Sequence, residues 1–278
     1  MSSTVFFAVL GAALLHATWN ALIRHGASKA AGVGIMTLVQ GGLGLVLVMT
    51  QPMPAPQVWL WLAASGVFHA GYKIFLSLAY ERGDLSGVYP VARGAAPMIV
   101  LVVSALFLAE HLTLSETAGI LVLGTGIFCL ARGIFTSGED RRMIPLALGS
   151  AAMTAGYSLV DGLGARVAGN AVQFTAWLFV VDAVLFTPLM MILRGTRFLH
   201  VPPAAWGMGA VAALASFLSY LVAVWAMTEA PIALVTALRE TSILFAILIG
   251  WLIFKERMDA LKAIAAILIV TGVMVTRL

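Results

Sequence analysis

The stretch Ala237-Leu238-Arg239-Glu240-Thr241-Ser242-Ile243 sits inside an apolar run from 231 to 253 and sets an arginine beside a glutamate in a segment otherwise suited to lipid. A counterpart lies 146 residues upstream, Val91-Ala92-Arg93-Gly94-Ala95-Ala96-Pro97, with the arginine in register. The same offset lays Glu110 on Glu256, Thr125 on Thr271 and Gly126 on Gly272, and an offset of 138 lays Gly11 to Asn20 on Gly149 to Ser158, pairing Trp19 with Tyr157. The chain therefore reads as a tandem duplication, residues 1–139 and 140–278.

The solvent follows from composition. With 62% hydrophobic and 10% charged residues among 278, the chain has too little polar surface for a water-soluble globule. A helix spanning the bilayer needs roughly 20 apolar residues, and ten such segments are predicted, at 4–23, 31–49, 58–80, 88–108, 115–131, 143–160, 171–193, 205–226, 231–253 and 258–276. The expected fold is an all-α integral membrane protein of ten transmembrane helices. Five spans per repeat is an odd number, which inverts the second copy relative to the first, and in inverted-repeat transporters the cargo site lies between the copies near the midplane. The apolar amino terminus lacks a basic flank and a cleavage signal, so it is expected to be a retained first helix. The single cysteine, Cys129, excludes an intrachain disulfide and a cysteine-based metal cage. No metal or cofactor is expected, and the net charge of +4 resides at helix ends rather than in a patch for nucleic acid.

Polar residues inside the spans mark the candidate site, because a charge facing lipid at the bilayer centre costs at least ~2.5 kcal/mol. In the third span His69, Tyr72, Lys73, Leu76 and Tyr80 recur at spacings of three and four, so the polar members share one face. The fourth span adds Tyr89 and Arg93 between Pro90 and Pro97, prolines expected to break the helical ladder where a cavity accepts the freed carbonyls. The first contributes His16, Trp19 and Asn20, the sixth Thr154, Tyr157 and Ser158, the eighth Ser216, Ser219 and Tyr220, and the ninth Arg239. The candidate cargo-binding residues are Trp19, His69, Tyr72, Lys73, Tyr89, Arg93, Tyr157, Tyr220 and Arg239. Each taken alone could be structural glue; their convergence from six helices favours a wet central cavity. Asp182 is a candidate partner for Lys73 or an arginine, and Asp161 and Arg166 are expected near a helix end in a solvated role.

The helix ends Leu106-Phe107-Leu108-Ala109-Glu110-His111-Leu112-Thr113 and Leu252-Ile253-Phe254-Lys255-Glu256-Arg257-Met258, each followed by a helix closing on Thr-Gly, resemble the ten-helix branch of the drug/metabolite transporter superfamily with its two EamA-type repeats. The resemblance spans essentially the whole chain. It implies two inverted five-helix repeats around a central cavity and a secondary transporter working by alternating access, with the nearest likeness to YddG-type amino-acid exporters. The related small multidrug resistance proteins use a glutamate in the first helix; His16 stands at the resembling position, which argues against cationic drugs as the main cargo.

Arginine and lysine suit a carboxylate, and aromatic faces suit an ammonium group or an aromatic side chain. The function expected is export of small metabolites, amino acids foremost, whether aromatic or of broad range. Other small organic anions or drugs are the alternative cargo. A remote alternative is an intramembrane aspartyl protease using Asp161 and Asp182, but Asp161-Gly162-Leu163-Gly164 has the motif of such enzymes in the wrong order and the duplication is left unexplained. No P-loop for ATP is present, and no enzymatic activity is expected. Two repeats in one chain can enclose a site alone, so a monomer in the cell's inner membrane is expected.

The loops after spans 1, 3, 5, 7 and 9 hold Arg24, Lys29, Arg82, Arg132, Arg141, Arg142, Arg194, Arg197, Lys255 and Arg257, against Arg166 and Arg277 on the other face. Short loops rich in Lys and Arg stay cytoplasmic, so both termini are predicted outside, whereas in many members of the resembled family they are cytoplasmic. Alkaline phosphatase fused after Leu278 should be active and green fluorescent protein dark; the reverse pattern would refute the assignment.

Overall fold

The computed structural model describes residues 1–24, 29–82, 85–108, 110–131 and 141–278. Among them are eleven α-helices: α1 (Ser3–Arg24), α2 (Lys29–Val48), α3 (Pro56–Tyr80), α4 (Leu85–Phe107), α5 (Leu114–Leu130), α6 (Met143–Ala168), α7 (Ala171–Arg194), α8 (Pro203–Glu229), α9 (Ile232–Arg239), α10 (Ser242–Leu252) and α11 (Ala260–Val275), with a 3-10 turn at Thr196–Leu199. The last two α-helices before α11 together form one span, giving the ten spans of a multi-pass membrane protein. Eight spans are long and apolar enough to cross a bilayer. The two shorter ones, α5 and α11, measure about 25 Å at 1.5 Å per residue.

Helix ends follow local chemistry. Thr113 and Glu116 form a reciprocal capping box at α5, with Glu116 N–H donating to Thr113 Oγ1 at 3.1 Å and Thr113 N–H to Glu116 Oε2 at 3.0 Å. Asn170 and Asp259 accept from the N–H groups of Gln173 and Lys262 at the starts of α7 and α11. Pro56 and Pro203 open α3 and α8 where a missing N–H costs nothing. Gly169 closes α6 in the left-handed region, φ 66°.

Helix pairing follows a pseudo-twofold relation between the repeats: α3 packs along α6 as α8 packs along α1, while α2 meets α7 and α5 meets α11, each pair being equivalent elements of the two copies. Leu60, Phe7, Val184, Val211 and Ile192 point outward as an apolar surface, in keeping with lipid as the solvent. Small residues set the closest approaches, since helices in lipid associate through packing rather than through water exclusion. At the α5–α11 contact a Cβ on Gly272 would stand 2.6 Å from Leu123 N and 2.7 Å from Gly119 O. The repeated Thr-Gly endings visible in the sequence thus mark a backbone contact.

Three expectations need correction. The sixth span does not end at 160 but runs to Ala168, with Asp161 beside His69 and Tyr220 and Arg166 donating to the carbonyl of Met227. Prolines 90 and 97 do not split α4, which is continuous from Leu85 to Phe107. The break falls instead in the second copy, where the ninth span is interrupted between Arg239 and Ser242 without a proline. There Glu240 N, Thr241 N and Ile243 N bond the carbonyls of Ala237, Leu238 and Glu240 three residues back, and Thr241 Oγ1 donates to Leu238 O at 2.7 Å. A side-chain hydroxyl competing for the ladder and a tightened turn make the joint. Of the residues used to assign topology, Arg132 and the side chains of Arg24, Lys29, Arg194 and Arg197 lie outside the described residues.

Gly272→Ala should lower stability by roughly 1–3 kcal/mol through overpacking, seen as a lower midpoint of thermal aggregation in detergent. Gly42→Ala, where nothing lies within 4 Å of an added Cβ, should leave it unchanged or raised.

Candidate functional site

Facing stripes of α3, α6 and α8 bring four rings together at the centre. His69 stacks on Tyr157 with centroids 4.2 Å apart and an interplanar angle of 16°, and meets Tyr72 and Tyr220 edge-on at 6.0 and 5.6 Å. Tyr157 also meets Tyr72 and Tyr220 at 5.4 and 6.1 Å. His69 and Tyr72, three residues apart, share one face of α3, and α6 and α8 supply one ring each. Trp19 of α1 packs edge-on against His16 at 5.0 Å. The Tyr89 side chain lies outside the described residues.

The charges are distributed around this cluster. Lys73 donates to both oxygens of Asp182 at 2.9 and 2.7 Å and lies 4.1 Å above the Phe186 ring, joining α3 to α7. Arg93 Nε stands 2.9 Å from Glu240 Oε2, an ion pair off the hydrogen-bond line, and Arg93 Nη2 reaches Ser242 Oγ at 3.5 Å. Glu240 thus turns to the first repeat, not to its neighbour Arg239. Arg239 lies with its guanidinium 4.9 Å from the Tyr220 ring centre and is 7% exposed. Among the described residues no carboxylate pairs with Arg239.

Asp161 is the functional candidate that sequence reasoning placed wrongly. It is completely buried rather than solvated: its Oδ2 accepts from Tyr220 Oη and lies 3.0 Å from His69 Nε2, while Oδ1 has no hydrogen-bond partner among the described residues. The signal was available, since Asp161 follows Tyr157 by four residues and extends the same helical face. Arg166, by contrast, works at one end of the bundle. It donates to Met227 O at 2.8 Å, Ala230 O at 3.0 Å and Glu110 Oε1 at 2.6 Å. Glu110 in turn accepts from Ile232 N–H with both oxygens, at 3.1 and 3.0 Å. This clasp satisfies the carbonyls ending α8 and the free N–H opening α9, and it fastens the first repeat to the second at that face.

An outer groove of about 330 Å³ between α2, α7 and α8 is lined by Leu43, Leu47, Leu214, Phe217 and other apolar side chains and offers nothing to orient a polar metabolite. At the centre, by contrast, the buried Arg239 guanidinium faces the Tyr220 ring. Such a guanidinium can bind a carboxylate in a planar fork. Among the described residues no group of three or more His, Cys, Asp or Glu side chains could hold a metal ion.

A sequence profile of the EamA-like transporter family matches residues 3–132 and 141–278, one match for each repeat. The chain belongs to the EamA-like transporter family. A crystal structure 19% identical in sequence superposes with a TM-score of 0.75, covering 100% of this chain and 99% of that one, and its likeness is one of fold. No curated protein matches the sequence. Family and fold together make the chain a membrane transporter of the drug/metabolite class, and the two carboxylates once weighed for proteolysis are engaged separately, Asp161 with His69 and Asp182 with Lys73.

Removing one member of a buried ion pair costs about 3–5 kcal/mol, whereas replacing both with apolar residues is often neutral. Asp182→Leu should therefore strongly destabilise the protein in detergent, and Lys73→Met combined with Asp182→Leu should recover most of the loss. Additive losses in that double variant would exclude a mutual pair.

Proposed function

We propose that this EamA-family protein is a secondary exporter of small carboxylate-bearing metabolites, amino acids foremost, acting by alternating exposure of the central site between its repeats. The observation that carries the reading is Arg239: a buried guanidinium held against Tyr220, with no carboxylate of the described chain paired to it. Keeping an uncompensated cation in a membrane is costly, and a cargo carboxylate removes that cost. The rings of Tyr72, Tyr157 and His69 beside it provide faces for an ammonium group or an aromatic side chain. Lys73 and Arg93, satisfied by Asp182 and Glu240, shape the site and set its potential. The α9–α10 joint gives the second copy backbone that can bend beside the cargo, and the clasp of Glu110, Arg166 and Ile232 closes one face. One chain suffices, in the inner membrane with both termini outside.

Protein reconstituted in liposomes should exchange labelled amino acids saturably, above empty liposomes. A charge-assisted hydrogen bond contributes about 1.5–3 kcal/mol, so Arg239→Gln should weaken cargo affinity by roughly 10- to 100-fold while the protein still folds. Absence of flux across a panel of aromatic, aliphatic and polar amino acids would overturn the amino-acid reading, and flux of other organic anions in the same assay would replace it.

A further inference from the structure

The short helix α9 is buried along its whole length and ends on Arg239. Its start has no cap of its own, because Pro231 precedes it and offers no side-chain acceptor to the N–H of Ile232. The acceptor comes from the other repeat. Both oxygens of Glu110 take that N–H, at 3.1 and 3.0 Å, and Glu110 Oε1 also lies 2.6 Å from Arg166 Nη2. Arg166 meanwhile donates to Met227 O and Ala230 O, so one carboxylate and one guanidinium fix the corner between α8 and α9. This clasp differs from the central ion pairs in its access to water. The Arg166 side chain is 32% exposed, against 10% for Lys73 and 13% for Arg93, and water can replace hydrogen bonds broken at an exposed guanidinium. Ile232 and Arg239 stand seven residues apart on one helix, about 10 Å at 1.5 Å per residue, so a movement of the clasped end is carried to the cargo cation.

We propose that Glu110 and Glu256 are paired latches of the transport cycle: Glu110, backed by Arg166, pins the start of α9 while the face bearing the termini is closed, and Glu256 pins the start of α4 while the opposite face is closed. The inference rests on the alternating exposure proposed above and names the residues that regulate it. The offset of 146 that lays Glu110 on Glu256 also lays Ile232 on Ser86, in the first turn of α4, and Arg239 on Arg93. Each copy thus carries a carboxylate placed for the arginine-bearing helix of the other copy, and inversion of the repeats puts the two carboxylates on opposite faces. A cation stands beside each: Arg166 at Glu110, and Lys262 with Nζ 3.5 Å from Glu256 Oε2. Whichever glutamate lets go leaves a helix start to water, and that end becomes the mouth through which cargo reaches the arginine seven residues further on. The bond lost at one face is matched by an equivalent bond at the other, which keeps the two states close enough in free energy for cargo to move the balance.

The test uses the full chain with Cys129→Ala and one reporter thiol, Ala233→Cys in α9 or the equivalent Gly87→Cys in α4, treated in detergent with a small water-soluble maleimide. Glu110→Gln keeps an acceptor and removes the charge. A charge-assisted bond is worth roughly 10- to 100-fold in the balance of two states, so this variant should speed labelling at 233 by about that factor and slow it at 87. Glu256→Gln should do the reverse. Where Glu110→Gln does not fold, Arg166→Lys, which gives up the planar fork, should shift labelling in the same direction and decides. Labelling that rises at both positions together would mean a loosened bundle, and labelling unchanged at both would mean a static tie; either overturns the latches. Flux of labelled phenylalanine, leucine and threonine in liposomes separates this inference from the cargo reading. Opposed labelling shifts without flux would overturn the amino-acid cargo and keep the latches, whereas flux without opposed shifts would overturn the latches and keep the cargo.

Discussion

A charge at the centre of a bilayer must be met by an opposite charge, by hydrogen bonds or by water, because hydrocarbon offers none of these. Among the described residues six charged side chains stand in the middle of this helix bundle, and the contacts they make tie particular helices together. Lys73 and Asp182 hold α3 against α7, Arg93 and Glu240 hold α4 against the α9–α10 joint, and Asp161 ties α6 to both α3 and α8. Van der Waals packing alone would accept several rotations of such smooth helices. The buried pairs accept few, since a helix turned by one residue moves its charge by about 100°.

The outer contacts obey a different rule. At the α5–α11 contact the determinant is an absence of side chain, with Gly119, Gly126 and Gly272 admitting a neighbouring backbone. At the bundle end the determinant is the unsatisfied backbone of helix termini, which Glu110 and Arg166 meet with a carboxylate and a guanidinium. Equivalent helices of the two repeats therefore share positions and differ in chemistry: Glu240 stands where the first copy has Gly94, and Ile243 where it has Pro97. Duplication supplies the pseudo-symmetric scaffold, and divergence supplies a polarised site within it.

Ten spans, two repeats and the membrane environment were legible in the sequence because each is written in long apolar runs and a fixed offset. Helix ends were less so. The predicted stop at 160 treated Asp161 as a sign of water, although its place four residues after Tyr157 puts it on the same helical face; its partners His69 and Tyr220 lie 92 and 59 residues away. The prolines of α4 misled in the other direction, since helix breaking by proline is a local tendency that packing can override. The convergence of His69, Tyr72, Tyr157 and Tyr220 could be read from helical spacing on three separate helices. Which cation kept a carboxylate and which did not could not, because Lys73, Arg93 and Arg239 look alike in one dimension and differ only in their neighbours.

The adjacency of Arg239 and Glu240 has its explanation in that difference. In an unbroken helix the two side chains would diverge by about 100° and either could be drawn to the other repeat. The tightened turn at Glu240–Ser242, with its i to i−3 bonds, delivers the glutamate to Arg93 and leaves the arginine against Tyr220. Removing the carboxylate to a partner on α4 is what frees the guanidinium. One local distortion of the ninth span thus completes a structural ion pair and leaves Arg239 without a carboxylate partner among the described residues, so both arrangements are consequences of a single backbone event.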